Sequence, residues 1–150
     1  MSQDSLPKQV KIVEVGPRDG LQNEKSFVAN EVKIELINRL TTAGFANIEA
    51  AAFVSPKWVP QMAGSHEVMA GIDRRPGTIY SVLVPNMQGY DRSREAGVDE
   101  VVVFSAASEA FAQKNINCSI DESIARFEPI AKAAKADGIR LRGSISCALG

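Results

Sequence analysis

The chain has 150 residues, 45% of them hydrophobic and 23% charged, with a formal net charge of −1, enough for one domain with a real core and without the charge excess that draws a protein to nucleic acid or anionic lipid. The opening Met1-Ser-Gln-Asp-Ser-Leu-Pro-Lys8 is polar, lacking the apolar core of a secretory signal and the Arg-rich character of a transit peptide, and no apolar run approaches the ~18 residues of a membrane helix. The two cysteines, Cys118 and Cys147, form no C-x-x-C pair, which argues against a disulfide framework or a Cys-based zinc site and fits a reducing cytoplasm.

Residues 1–9 read as a flexible lead-in to a single domain spanning 1–150. The first predicted strand is Val10 to Val15. A helix follows over Glu31 to Ala43, with Val32, Leu36, Ile37 and Leu40 on one face, Asn30 as N-cap and Gly44 just past its end. The second strand, Asn47 to Val54, leads to a short helix over Ser65 to Ile72. The third, Thr78 to Val84, leads to a helix over Met87 to Ala96 that Gly97 stops. The fourth, Glu100 to Ser105, precedes the clearest helix, Ser119 to Ala136. There Ser119 and Glu122 have capping-box spacing, Ile120, Ile124, Phe127, Ile130 and Ala134 share a face, and Pro129 predicts a bend. Ile139 to Ser146 is the fifth strand.

This βα rhythm, with runs such as Val101-Val102-Val103-Phe104 apolar on both faces, predicts a parallel sheet. Both a doubly wound sheet and part of a (β/α)8 barrel satisfy it. A chain that stops just after a strand favours the barrel, cut in half.

In either fold the chemistry sits at the carboxyl ends of the strands. Arg18-Asp19-Gly20 follows the first strand. Its carboxylate suits a hard divalent cation and its guanidinium a developing oxyanion, with Gly20 giving the turn its backbone freedom. The same three residues also fit an ordinary charge-paired turn. Glu49, in an otherwise apolar second strand, is expensive to bury without a partner, and an inward Glu49 beside Arg18 answers that cost; a Glu facing outward at a strand edge is the other reading. Glu14 raises the same question deeper in the first strand. Lys25, Lys57, Lys114, Asn115 and Asn117 lie on strand-to-helix loops, where such groups suit phosphates or pantetheine amides or are simply solvated. Trp58 reads as a lid or a packing anchor. His66, the one histidine, reads as a surface or capping residue, and Cys147 as a small buried apolar one.

Several long segments are more specific. Val15-Gly-Pro-Arg-Asp-Gly-Leu-Gln-Asn-Glu-Lys25, Ala52-Phe-Val-Ser-Pro-Lys-Trp-Val-Pro-Gln-Met62, Ala106-Ala-Ser-Glu109, Lys114-Asn-Ile-Asn-Cys-Ser119 and Ser146-Cys-Ala-Leu-Gly150 resemble the 3-hydroxy-3-methylglutaryl-CoA lyases. The likeness runs from about residue 10 to the end. It implies the α/β (β/α)8 TIM-barrel fold, here only the first four βα units plus strand 5, a half barrel. It also implies cleavage of an acyl-CoA substrate to acetoacetate and acetyl-CoA with Mg²⁺ or Mn²⁺. By the resemblance Asp19 is a metal ligand, Arg18 stabilises the departing enolate, Glu49 is the glutamate of the second strand and Gln22 a nearby polar contact; with them, Lys25 and Asn115 from the loops are expected to contact substrate. The family's metal-binding histidines, a further asparagine ligand and a catalytic cysteine have no counterpart here. Ala50-Ala51-Ala52 and Ser144 replace hydroxyl residues and a tyrosine common in the family. The related isopropylmalate and homocitrate synthases share R-D-G-x-Q but not the longer signature. The expected chain is therefore inactive by itself, with a non-catalytic remnant and a half-barrel subunit needing a complementing chain as alternatives. A homodimer or complementing chain is expected to cover its open edges and the apolar inner face formed by Val13, Val15, Ile48, Val82, Val102, Phe104 and Ile145.

Overall fold

The computed structural model describes residues 7–149; most of the expected flexible lead-in lies outside the described residues. Four strands, β1 (Asn47–Ala52), β2 (Ile79–Leu83), β3 (Glu100–Ala106) and β4 (Arg140–Ser146), form one parallel sheet in the order β1-β2-β3-β4. Among the described residues, α1 (Asn30–Thr42) precedes β1, while α2 (Ser65–Gly71), α3 (Met87–Glu95) and the pair α4 (Glu109–Ile116) and α5 (Ile120–Asp137) connect the successive strands. Sequential order with parallel pairing sends each crossover the same way, so the helices collect on one face of the sheet. Ile37 of α1, Met69 of α2, Tyr90 of α3 and Ile130 and Ala134 of α5 pack with Ile48, Tyr80, Val82, Val101 and Val103 of the strands in one core. A doubly wound sheet reverses its strand order and carries helices on both faces. This singly wound arc is that of a (β/α) barrel, which decides between the two architectures the sequence left open.

The helix termini follow local chemistry. Ser119 and Glu122 close a reciprocal capping box, and α5 ends at Gly138, whose φ of 70° is the left-handed cap a glycine adopts readily. Asn86 caps α3 by accepting from the Gly89 amide at 2.9 Å. The helix runs unbroken through Pro129.

Several expectations are corrected. The first predicted strand is reduced to one parallel bridge between Glu14 and Ile48. With a neighbour on one side only, Val10 and Ile12 stay exposed. Asn30 is the first residue of α1 rather than its cap, which is Ala29; its side chain packs over Gly64. Val32 is exposed and Lys33 buried, the reverse of the apolar-face reading, because α1 is rotated toward the 60–62 turn. Ile124 likewise faces solvent while Ile130 and Ala134 are fully buried, and Cys147, expected buried on a strand, is exposed just past the end of β4. The 109–116 segment, read as loop, is α4, started by Ser108 and closed by Asn117 at φ 49°. Most consequential is the inner face. Ile48 and Val82 belong to the helix-covered core, and Ile145 alternates away from Ser144 and is 68% exposed on the outer face. Val102 and Phe104 do lie on the inner face, in register with Arg142 and Ser144, but the face is largely polar, carrying Glu49, Ser81, Glu100 and Arg142.

Candidate active site

The chain enters the site through a π-helical turn, Gly16–Gly20. The amides of Arg18, Asp19 and Gly20 all converge on the Val15 carbonyl, at 3.1, 2.7 and 3.3 Å. Wide turns of this kind recur at functional positions because they reset the side-chain direction. The glycine the turn needs is Gly16: a Cβ there would lie 2.8 Å from the Glu14 carboxylate, which accepts the Gly16 amide at 2.7 Å. Gly20 has no positive φ and open space around it, so the backbone freedom assigned to it from sequence is not used. Glu14 is accounted for by this local bond.

Arg18 and Asp19 thereby sit side by side, Nη1 donating to Asp19 Oδ1 at 2.8 Å. The guanidinium also places Nε and Nη2 on Glu49 Oε1, each at 2.5 Å. Glu49 is 1% exposed. Its other oxygen accepts from Arg142 Nη2 at 2.7 Å. Arg142 in turn donates through Nε to Glu100 Oε1 at 2.8 Å and through Nη2 to Ser81 Oγ at 3.3 Å, and Lys11 lies 3.7 Å from Glu100. Charges thus alternate from Asp19 through Arg18, Glu49, Arg142 and Glu100 to Lys11. Burial pulls the Arg142 guanidinium down, but its hydrogen bonds to Glu100 and Glu49 outweigh that and hold it above its usual value.

Above this row opens a cavity of about 550 Å³. Arg18, Asp19 and Gln22 line one side, Asn86 and Asn115 another, and Leu83, Phe104 and Phe127 give it an apolar surface. Trp58, 87% exposed, stands between this cavity and a groove lined by Gln22, Lys25 and Phe27.

The structure therefore brings Arg18, Asp19, Gln22 and Asn115 to one cavity and places Lys25 in the adjoining groove. Glu49 lies beneath Arg18, both oxygens engaged by arginines. Lys57 and Lys114 are exposed and line neither space, and Asn117 serves as the left-handed cap of α4. His66 is exposed on α2 and also lines neither. Among the described residues, no three His, Cys, Asp or Glu side chains gather as a metal site, and no helix is long and apolar enough to cross a membrane.

Sequence reasoning missed Arg142 and Glu100. The signal was present: in Arg140-Leu-Arg142-Gly-Ser144-Ile-Ser146 the polar residues alternate, marking one face of a strand.

The comparisons agree with this architecture. Residues 9–150 match the HMGL-like family model. The mitochondrial hydroxymethylglutaryl-CoA lyase of Macaca fascicularis is 59% identical over 149 residues, which cover 99% of this chain and 46% of that protein. The crystal structure of the hydroxymethylglutaryl-CoA lyase from Pseudomonas aeruginosa superposes with a TM-score of 0.93 at 59% identity, covering 97% of this chain and 48% of the other. An HMG-CoA lyase solved in complex with coenzyme A and 3-methylmalate matches at a TM-score of 0.85 and 38% identity, covering 89% of this chain and 43% of the other. The chain spans about half the length of these relatives. By its family match, its sheet order and its 59% identity to lyases across nearly all its residues, the chain belongs to the HMGL-like family.

Proposed function

We propose that this chain supplies the Arg18–Asp19 wall of a carbon–carbon lyase that cleaves 3-hydroxy-3-methylglutaryl-CoA to acetoacetate and acetyl-CoA. The observation that carries the reading is Arg18, held from below by a buried carboxylate and turned toward a cavity that Asp19, Gln22 and Asn115 also line. The relatives named above are lyases, which favours cleavage over the condensation run by the isopropylmalate and homocitrate synthases.

The chemistry needs a base to take the 3-hydroxyl proton. The C2–C3 bond then breaks, C3 becomes the ketone of acetoacetate, and the electron pair passes to C2 and the thioester oxygen as an enolate. A proton delivered to C2 gives acetyl-CoA. Arg18 has five N–H donors; Nε donates to Glu49 and Nη1 to Asp19, with Nη2 in ion-pair contact with Glu49, which leaves N–H groups for the enolate oxygen, where fixed positive charge lowers the barrier most. Glu49 acts on this step through Arg18. Asn115 and Gln22 offer amide donors and acceptors to the acyl and pantetheine groups, and Lys25 a cation to the phosphates.

A divalent cation, Mg²⁺ or Mn²⁺, belongs to this reading, with Asp19 as one ligand. The fit within this chain is partial: Asp19 gives one half-exposed carboxylate, while such ions take about six oxygens and shed water reluctantly. When bound, the ion would polarise the substrate's hydroxyl and carboxylate oxygens. The 150 residues by themselves are accordingly expected to be inactive. The open edge of β4, beside the exposed Leu141 and Ile145, needs a further strand beside it, whether from more of the same barrel, a second copy or a complementing chain. Unpaired Cys118 and Cys147 accord with a reducing, cytoplasmic setting.

The test uses Trp58, the one tryptophan. Acetyl-CoA should change its fluorescence saturably, with weaker binding in Arg18→Met and Asn115→Ala. A flat titration, or variants that bind like the parent, would count against the assignment.

A further inference from the structure

We propose that Arg142 is a positioning residue that locks the orientation of Arg18 through Glu49. The proposal rests on the reading of Arg18 as the group that meets the substrate.

Arg142 does not line the cavity. Its side chain spans the inner face instead. From β4 it reaches Glu100 on β3, Ser81 on β2 and Glu49 on β1, at 2.8, 3.3 and 2.7 Å. The result at Glu49 is a division of labour between two oxygens. Oε2 belongs to Arg142 and Oε1 to Arg18. A carboxylate is planar, so fixing Oε2 fixes where Oε1 points. The Arg18 guanidinium, which sets both Nε and Nη2 on that one oxygen, then has its plane determined and its Nη1 edge directed to Asp19.

Simple charge neutralisation does not need this geometry. A lone cation near Glu49 and Glu100 would balance their charge wherever it sat. A forked guanidinium with Nε on one carboxylate and Nη2 on another does more: it sets the angle between two strands' side chains. Lysine carries a point charge on a flexible stem and cannot hold both carboxylates in a fixed mutual orientation. Ser81, 1% exposed, adds a hydroxyl acceptor that fits the Nη2 position. Nothing in the cavity's own lining would indicate this role, because the lock is applied on the side of Glu49 away from the ligand.

The experiment reads Arg18 directly. In the pure chain, hydrogen exchange of the Arg18 Nε–H is followed by ¹H–¹⁵N spectroscopy, assigned by its loss in Arg18→Met, alongside the backbone amides of Glu49 and Phe53. In Arg142→Met the Arg18 Nε–H should exchange about tenfold faster, the change that loss of roughly one charged hydrogen bond's worth of order produces, while the two backbone amides keep their protection. Arg142→Lys, which retains charge and so guards against loss of the fold, should fall between the parent and Arg142→Met. Two results overturn the proposal: Arg18 exchange that is unchanged, or that rises only in step with the backbone, and full recovery of parent behaviour in Arg142→Lys, which assigns Arg142 to charge balance. No substrate enters this readout. If acetyl-CoA binding ignores Arg18→Met while Arg18 exchange answers to Arg142, the functional reading falls and the positioning role stands.

Discussion

Replacing Glu49 by glutamine tests the charge row at its most buried point. Glutamine keeps the shape and one carbonyl acceptor but turns an NH₂ toward a guanidinium. Glu49 is 1% exposed and bonded to two arginines, at 2.5 and 2.7 Å. Breaking a buried ion pair from one side typically costs about 3–5 kcal/mol. Here Arg18 keeps Asp19 and Arg142 keeps Glu100, each at 2.8 Å, and their side chains are 15% and 25% exposed, so water reaches part of each. The lower end, about 3 kcal/mol, is expected. With a urea dependence of about 2 kcal/mol per molar for a domain of this size, the unfolding midpoint should fall by about 1.5 M. Arg142→Met should cost much less in the Glu49→Gln background than in the parent, since the two share one interaction. A midpoint shift under about 0.3 M in Glu49→Gln, read by circular dichroism, would show that the row is solvated and energetically idle.

Tyr90 donates to Asp137 at 2.6 Å, and burial, then that hydrogen bond, push its phenol up to about 12; the folded chain holds the proton longer than the unfolded one, so stability should fall as pH rises from about 10 toward 12. Tyrosinate absorbance should resolve the late titration, Tyr90→Phe should remove it and lower Tm by roughly 4 °C, and a Tyr90 that titrates like free tyrosine would refute this. Lys33 is buried on α1 with its ammonium on the Gln61 carbonyl, and burial lowers its pKa; the unfolded chain holds that proton more tightly, so stability should rise with pH below about 10.5. Urea midpoints near pH 7 and near pH 9.5 should differ in the parent and converge in Lys33→Met, and an unchanged slope in the variant would assign it to other groups. Sedimentation of the pure chain at low micromolar concentration should give a dimer or larger species through the β4 edge, whereas a monodisperse monomer would contradict the proposed edge pairing.

Much of the fold was legible because strand–helix alternation is local. β-branched runs, a capping box and glycine stops sit within a few residues of the boundaries they set, and four of five predicted strands form. What failed was orientation. The sequence placed Ile48, Val82 and Ile145 inside, since apolar strands alternate without revealing which face helices will cover. Lys33 in place of Val32, and Ile124 in solvent, are the same failure on helices, where tertiary packing sets the rotation. At the site, Arg18, Asp19 and Glu49 stood out by residue type and position. Arg142 did not, because its meaning lies in reaching across three neighbouring strands to residues 42, 61 and 93 positions away.

The central claim is tested most directly by completing the barrel. Joining this chain after residue 150 to the remaining part of the Pseudomonas aeruginosa lyase, which matches it over 48% of that protein's length, supplies the other wall of the cavity. The account predicts Mg²⁺-dependent release of acetoacetate and acetyl-CoA from 3-hydroxy-3-methylglutaryl-CoA by the joined protein, none by the 150 residues by themselves, and loss of release in Arg18→Met. A folded joined protein that releases nothing, or one whose release survives Arg18→Met, would contradict it.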